Sequence, residues 1–237
     1  MGRRIAVSDL ALGLAWLFVF VAISVQVGGV ASAQTCNQVQ HNVMGIDQSQ
    51  TGRGNRANIW VNNINFGGLH GNVFRSLFVI KGTGPLDVEV GWYSTGGNPV
   101  SYFEFVTSNG VDSGARPGPS VSINAYPNFK VTAPGAQLPG GNWTWTAYLN
   151  SVAFDSIGLP FHIGKLRTNS ERKNDCDTMW AEFRQLDNCS SVTGGSCNWH
   201  GSYVNLQCFK TVSGGQYRFN KIDNTRLTVP QTGGVTC

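Results

Sequence analysis

The stretch Trp143-Thr144-Trp145-Thr146-Ala147-Tyr148-Leu149 alternates apolar residues with more polar ones along its whole length. Successive side chains of a β-strand point to opposite faces, so this period predicts a strand with one buried face. The two tryptophans fit the packing of a hydrophobic core, although an exposed pair would form a platform for a sugar ring. Either way, the stretch is predicted to be a half-buried strand.

Comparable short runs, rich in apolar and aromatic residues, recur along the chain. They cover residues 59–66, 73–81, 86–93, 100–107, 120–125, 129–133, 142–154 and 157–166. Gly and Pro separate nearly all of them, as in Gly96-Gly97-Asn98-Pro99 and Pro139-Gly140-Gly141. Many short strands divided by turn residues are typical of sandwiches and barrels. We therefore predict an all-β protein with an antiparallel β-sandwich of jelly-roll type.

One segment departs from this strand period. Met179, Trp180, Phe183 and Leu186 are spaced by one, three and three residues, which would place them on one side of a helical turn. A strand is equally compatible with so short a segment.

The N-terminus carries the pattern of a secretory signal peptide. Arg3 and Arg4 precede an uncharged apolar stretch over residues 10–25, and Ala31-Ser32-Ala33 supplies small residues for cleavage. The apolar stretch is shorter than the roughly 20 residues of a membrane span, although extending it to Ala33 keeps an uncleaved anchor possible. We expect residues 1–33 to be removed, leaving a secreted, extracellular protein without a stable membrane span.

The cysteines indicate disulfide bonds. The sequence has six, all beyond the predicted signal peptide, at positions Cys36, Cys176, Cys189, Cys197, Cys208 and Cys237. An even number in an exported chain predicts disulfides, and the sequence cannot choose among the pairings. We divide the rest of the chain into an N-terminal segment (34–56), the sandwich (57–187) and a disulfide-rich C-terminal extension (188–237). A separate small domain is the alternative for the last part.

Composition excludes several functional classes. The formal net charge of +4 is too small to argue for a nucleic-acid partner. The sequence contains neither a Gly-x-Ser-x-Gly nor a His-Glu-x-x-His pattern, and its four histidines are widely separated. The glycine-rich stretches join predicted strands, so we interpret them as turns. We therefore expect no metal and no cofactor.

Carboxylates are the remaining candidates for chemistry. In the run Val88-Glu89-Val90-Gly91-Trp92-Tyr93, alternation places Glu89 on the face opposite Val88, Val90 and Trp92. Glu104 likewise lies opposite Phe103 and Phe105. If the two runs are neighbouring strands, both glutamates line one face. An ordinary solvated glutamate is the alternative for each.

Glu171 is the third candidate. It follows an apolar run, in Thr168-Asn169-Ser170-Glu171. It could equally be a surface residue paired with Arg167 or Arg172, and such pairs contribute little to stability.

The order of five short motifs resembles that of the glutamic peptidases. These motifs are Val88-Glu89-Val90-Gly91-Trp92, the aromatic run 102–106, Gly141-Asn142-Trp143-Thr144-Trp145, Ile157-Gly158-Leu159-Pro160-Phe161 and Thr168-Asn169-Ser170-Glu171. In the neprosin branch a Glu-x-Gly-Trp strand supplies one catalytic glutamate and a second glutamate closes the site. The fungal branch, the eqolisins, uses a glutamine in a Gln-x-Gly strand and a glutamate in a Thr-Asn-Ala-Glu-like motif.

This resemblance implies a jelly-roll-type sandwich that hydrolyses peptide bonds at acid pH. It places Glu89 and Glu171 at the two catalytic positions, with Glu171 as the base and Glu89 as the acid and oxyanion stabiliser. The reverse assignment is open. We expect the neighbouring aromatic residues Trp92, Tyr93 and Tyr102 to bind substrate.

Two other functions fit the same residues. A non-catalytic protein would bind extracellular glycan or cell-wall material through exposed aromatics such as Tyr93, Tyr102, Trp180 or Trp199. A glycoside hydrolase would use Glu89 and Glu104 as its carboxylate pair. The predicted partner is therefore a polypeptide substrate or an extracellular glycan.

Overall fold

The computed structural model describes the backbone of residues 42–63, 73–82, 84–172, 181–201, 207–211, 218–223, 226–229 and 235–236. Side chains are described for residues 51–63, 73–82, 84–171 and 181–201. The predicted signal peptide lies outside these ranges. The regular structure of the described residues is entirely β, and it includes no helix long and apolar enough to cross a membrane. The predicted all-β class is confirmed.

The strands are short and follow one another closely. In chain order they are β1 (Asn42–Gly52), β2 (Gly54–Ile59), β3 (Val73–Ile80), β4 (Asp87–Ser94), β5 (Val100–Val106), β6 (Arg116–Ser120), β7 (Asn128–Thr132), β8 (Trp143–Leu149), β9 (Val152–Leu159), β10 (Gly164–Arg172), β11 (Ala181–Thr193), β12 (Ser196–His200), β13 (Gln207–Thr211), β14 (Arg218–Asp223), β15 (Arg226–Val229) and β16 (Val235–Thr236).

These strands form two antiparallel sheets. The first sheet has the order β13-β1-β10-β3-β4-β5-β6. The second has the order β16-β14-β15-β11-β2-β7-β8-β9, with β12 paired to β11. The first strand precedes residue 57, and the C-terminal strands extend both sheets. The sandwich therefore includes strands from either side of the 57–187 range expected for it.

The core lies between the sheets and contains the residues that alternation assigned to it. Val90 and Trp92 of β4 and Trp145 of β8 have no exposed surface. Both tryptophans satisfy their indole N–H groups on main-chain oxygens, Trp92 on Trp60 at 3.1 Å and Trp145 on Phe161 at 2.8 Å. Trp145 is thus a core residue rather than part of a sugar platform.

The described part of the segment with the ambiguous period, residues 181–186, belongs to a strand, and a β-bulge explains its spacing; Met179 and Trp180 lie outside the described residues. In β11, Phe183 and Leu186 are both buried although they are three positions apart, an odd spacing for one face of a strand. The pairing with β2 shifts between Arg184 and Asp187, and Gln185 has a positive φ of 52°. The extra residue of the bulge shifts the next buried side chain by one position, so the buried residues are three apart instead of two, as they would be in a helix.

One of the predicted disulfides is described. Cys189 of β11 and Cys197 of β12 are bonded, which closes the hairpin between these strands. The other cysteines lie outside the residues with described side chains; they are Cys36, Cys176, Cys208 and Cys237.

Candidate active site

Glu89 and Glu104 lie side by side on the outer face of the first sheet. Glu89 in β4 pairs directly with Glu104 in β5, and the opposite face of β4 carries core residues. Residues directly opposite on antiparallel strands project from the same face, with Cβ atoms about 5 Å apart. The prediction that both glutamates share a face is confirmed.

Glu171 reaches the same face from a distant part of the chain. It lies in β10 and pairs with Phe74 of β3. Farther along β3, Phe78 pairs with Glu89 of β4. Phe74 and Phe78 are four residues apart, so their side chains share one face of the sheet, as do those of Glu171 and Glu89.

These carboxyl groups line one open groove with a volume of about 500 Å³. Its lining residues are Phe74, Phe78, Asp87, Glu89, Tyr102, Glu104, Val106, Asp112, Gly114, Ala115 and Glu171. The groove therefore combines three candidate glutamates with two further carboxylates and an aromatic wall. Its size suits a short segment of a polymer or a small molecule.

Gly91 lets β3 and β4 approach each other closely beneath this groove. It pairs with Ser76 on one side and with Tyr102 on the other. A Cβ atom at Gly91 would lie 2.0 Å from the main-chain oxygen of Arg75 and 2.7 Å from Cα of Ser76. Only glycine fits at this position.

Glu89 is almost fully enclosed. Its exposed fraction is 6%, and the hydroxyl of Tyr102 donates a hydrogen bond to Oε1. Burial raises the pKa of Glu89 well above its usual value, and the charges of Glu171 and Glu104 raise it further. The Tyr102 hydrogen bond opposes this rise but is the smaller effect. Glu89 therefore keeps its proton under conditions in which an ordinary glutamate is ionised.

Glu171 has different surroundings. The side-chain amide of Asn169 donates a hydrogen bond to its Oε1, and Asn169 is itself only 2% exposed. An amide N–H can only donate, so the contact orients a carboxyl oxygen that accepts. From the core side, Arg75 donates to the main-chain oxygen of Glu171 at 2.9 Å. The two glutamates thus have unequal environments, because Glu89 is enclosed and has a raised pKa, whereas Glu171 is half-buried and accepts a hydrogen bond from an amide.

The far end of the groove holds three more carboxyl groups. Burial, followed by the charge of Asp112, raises the pKa of Glu104 to about 7 and that of Asp87 to about 6. A hydrogen bond between Glu104 and Asp112 contributes to the first value, and the charge of Arg167 partly offsets the second. This end therefore binds protons between mildly acid and neutral pH.

The aromatic wall stands at the Glu171 end. The ring of Phe74 stacks on Tyr93 and meets Tyr102 edge-on, with both centroid distances 5.5 Å. Tyr93 is half-buried, whereas Tyr102 has no exposed surface and holds Glu89. The prediction that Trp92 binds substrate is wrong. Its side chain lies on the core face of β4 and is fully buried, so it cannot reach the groove.

Trp199, one of the aromatic candidates for glycan contact, does not line this groove. Trp199 lies on β12 of the second sheet, where the guanidinium of Arg56 is 4.5 Å from its ring centroid. Trp180 lies outside the described residues. Among the side chains that the structure describes, no three His, Cys, Asp or Glu residues are arranged to hold a metal ion.

Several residues of the site were not identified from the sequence. Asp87 and Asn169 had a usable signal, because each precedes a candidate glutamate by two positions and so shares its face of a strand. Asp112 had none, because it belongs to the loop after β5 and only the folded loop brings it to Glu104. Arg75 is a charged residue on a core face, which alternation alone does not anticipate.

Comparisons with known proteins identify the fold. No protein-family model matches the chain, and no curated protein matches it. Among solved structures, scytalido-glutamic peptidase with a peptide-based transition-state analogue has a TM-score of 0.52 at 12% identity, over 84% of this chain and 100% of that chain. SCP-B, a member of the Eqolisin family of peptidases in complex with the tripeptide Ala-Ile-His, has a TM-score of 0.49 at 12% identity, over 84% and 100%. A Bacillus licheniformis β-glucanase has a TM-score of 0.36 at 14% identity, over 78% and 70%. At this identity, the likeness to the scytalido enzyme shows a shared β-sandwich fold.

Proposed function

We propose that the protein is a secreted endopeptidase that cleaves peptide bonds at acid pH through Glu89 and Glu171. One observation carries the proposal: the two carboxyl groups line a single open groove in unequal surroundings. Pairs of titratable groups with divergent environments are the pattern of an acid and a base in one site. The order of sequence motifs and the fold shared with a glutamic peptidase support the same activity. The N-terminal signal pattern supports secretion.

From these environments we propose a role for each glutamate. Glu171, oriented by the side-chain amide of Asn169, takes a proton from the water that attacks the scissile carbonyl carbon. Glu89, protonated in its buried position, donates a hydrogen bond to the carbonyl oxygen as negative charge develops there. Its proton then passes to the leaving amine as the C–N bond breaks. At this point Glu171 is protonated and Glu89 is ionised. Transfer of the proton from Glu171 to Glu89 through solvent restores the starting state.

The same arrangement favours acid pH. The pKa of Glu89 is raised, so its acid form is present at low pH and is lost as the pH rises through that value. Glu104 and Asp87 have pKa values of about 7 and about 6, so the groove also gains negative charge as the pH rises. Nearby carboxylates oppose the formation of an oxyanion, and activity should therefore fall towards neutral pH.

The test is cleavage of an unfolded protein by the purified mature chain across the acid range. Glu171→Gln and Glu89→Gln should each lower kcat by about 10²-fold to 10⁴-fold, the usual contribution of a general acid or base. Glu182→Gln is the matched control, because Glu182 is also buried but lies on the second sheet. Cleavage that persists unchanged in both groove variants would refute the proposal.

Glycoside hydrolysis is the second candidate, favoured by the direct pairing of Glu89 with Glu104. Cβ atoms of such a pair lie about 5 Å apart, compatible with the carboxyl separation of about 5 to 5.5 Å in retaining glycosidases. Release of reducing sugar from a panel of polysaccharides, lost in Glu104→Gln and retained in Glu171→Gln, would support it. Polysaccharide binding without hydrolysis would instead favour the non-catalytic alternative.

A further inference from the structure

We infer that Asn169 and Arg75 are positioning residues that hold Glu171 as the proton acceptor of the groove. The two together are named the Glu171 clamp, because one contacts the carboxylate and the other contacts the main chain of the same residue. This inference rests on the function proposed above and adds two residues to it that do not touch the substrate.

Asn169 fixes the carboxylate. It precedes Glu171 by two positions in β10, so both side chains project from one face of the strand. Its amide nitrogen donates to Glu171, whereas its Oδ1 is buried without a hydrogen-bond partner among the described residues. Leaving a buried polar atom unpaired costs about 1 to 3 kcal/mol. The amide oxygen of Asn169 therefore carries an energetic cost, and the contact of its amide nitrogen with Glu171 offers a reason for that cost: it orients the carboxylate.

Arg75 fixes the main chain from the opposite side of the sheet. Its side chain is fully buried, and its Nη1 donates to the main-chain oxygens of Phe74 at 2.7 Å and Glu171 at 2.9 Å. These oxygens belong to the paired strands β3 and β10, so one nitrogen links both strands at the position of the reactive residue. The guanidinium carbon is also 5.8 Å from the ring centroid of Trp92.

The charges around Glu171 explain why a clamp is needed. Glu89 from β4 and Glu104 from β5 face it across the groove, together with the hydroxyl of Tyr102. Carboxylates repel one another, and a flexible glutamate side chain would turn away from the other two. The amide of Asn169 donates to the carboxylate on the groove side, and Arg75 donates to the main chain of Glu171 from the core side.

Asn169→Leu tests the carboxylate contact, because leucine has the same branching as asparagine but no N–H to donate. Loss of a hydrogen bond to a charged group should lower kcat by about 10-fold to 100-fold, with KM unchanged because Asn169 does not line the groove. The limb of the pH profile on which activity rises with pH should also move to higher pH. Asn169→Asp should retain more activity than Asn169→Leu at the lowest pH, where the introduced carboxyl is protonated and can donate. That advantage should vanish as the pH rises.

Asn188→Leu is the matched control. Asn188 is 1% exposed and lies on β11 of the second sheet, so the substitution imposes a similar packing change far from the groove. Its kcat and pH profile should match those of the wild type once the folded fraction is measured by circular dichroism. An Asn188→Leu variant that reproduces the effects of Asn169→Leu would show that the latter role is merely structural, and would overturn the inference.

Arg75→Lys and Arg75→Met test the main-chain contact. Lysine keeps the charge but replaces the planar guanidinium, so kcat should fall less in Arg75→Lys than in Arg75→Met, with KM unchanged in both. If Arg75→Met does not fold, Arg75→Lys decides alone. An active wild type whose Asn169→Leu and Arg75→Lys variants keep kcat within about twofold would overturn the clamp only. An inactive wild type would overturn the proposed function, and the clamp with it.

Discussion

Replacing Glu104 with glutamine should make the protein more stable at neutral pH and leave its stability at acid pH unchanged. Glu104 sits between Glu89 and Asp112 in a half-buried position, where burial and the Asp112 charge raise its pKa to about 7 from 4.5. The native state therefore binds a proton more tightly than the unfolded chain. The stabilisation from this group is complete below pH 4.5 and is lost as the pH rises to about 7. Glutamine imitates the protonated form at every pH.

The size of the effect follows from the difference between the two pKa values. At about 1.4 kcal/mol for each pH unit, the full difference would correspond to about 3 kcal/mol. Solvent screens a half-buried group, so we reduce this to about 1 to 2 kcal/mol for Glu104→Gln near pH 8.

Urea unfolding followed by tryptophan fluorescence, at pH 4.5 and near pH 8, measures this difference. The control is Glu182→Gln, which removes a buried carboxylate that accepts hydrogen bonds from Arg184 at 2.7 Å and Tyr126 at 2.8 Å. That variant should be less stable than the wild type near pH 8, because the carboxylate of Glu182 accepts hydrogen bonds from two donors. Glu104 is instead hydrogen-bonded to a second carboxyl group, that of Asp112. The reasoning is refuted if Glu104→Gln gains nothing near pH 8, or gains as much at pH 4.5.

Three further predictions concern the frame of the groove. Gly91→Ala should destabilise the fold by about 3 kcal/mol or more, because the new Cβ overlaps the main chain of Arg75; an unchanged urea midpoint would contradict the close approach. Tyr102→Phe removes a donor that lowers the pKa of Glu89, so the high-pH limb of cleavage should move to higher pH; a shift to lower pH would show that the hydroxyl has the opposite role. Cys189→Ser with Cys197→Ser should cost about 2 to 3 kcal/mol in thermal unfolding with kcat unaffected, because the hairpin lies on the second sheet; loss of kcat at full folding would argue against that separation.

Local periodicity predicted the strands and the faces of their side chains. The alternation in β4 and β5 was sufficient to place Glu89 and Glu104 together, because neighbouring strands in the sequence usually pair. It failed in β11, where the bulge at Gln185 changes the spacing of buried residues.

Long-range pairing could not be read from the sequence. Glu171 reaches the groove because β10 pairs with β3, and no local pattern encodes that choice. The resemblance to glutamic peptidases anticipated it through motif order instead. Asp112 and Arg75 stayed unidentified for the same reason. Their roles depend on contacts that exist only after the loop after β5 and the strand β10 have taken their places.

The pairing of β10 with β3 also has a kinetic consequence. Glu89 and Glu104 come together through a short hairpin, whereas Glu171 arrives only when a much later part of the chain docks on β3. Contacts between residues far apart in sequence have a high entropic cost of loop closure and form slowly in β-rich proteins. A nascent or partly folded chain therefore holds two of its carboxyl groups without the third, and under the proposed function we expect it to be inactive. During refolding, the rate at which cleavage recovers would report the docking of β10 on β3. The rate at which tryptophan fluorescence recovers would report burial of the core.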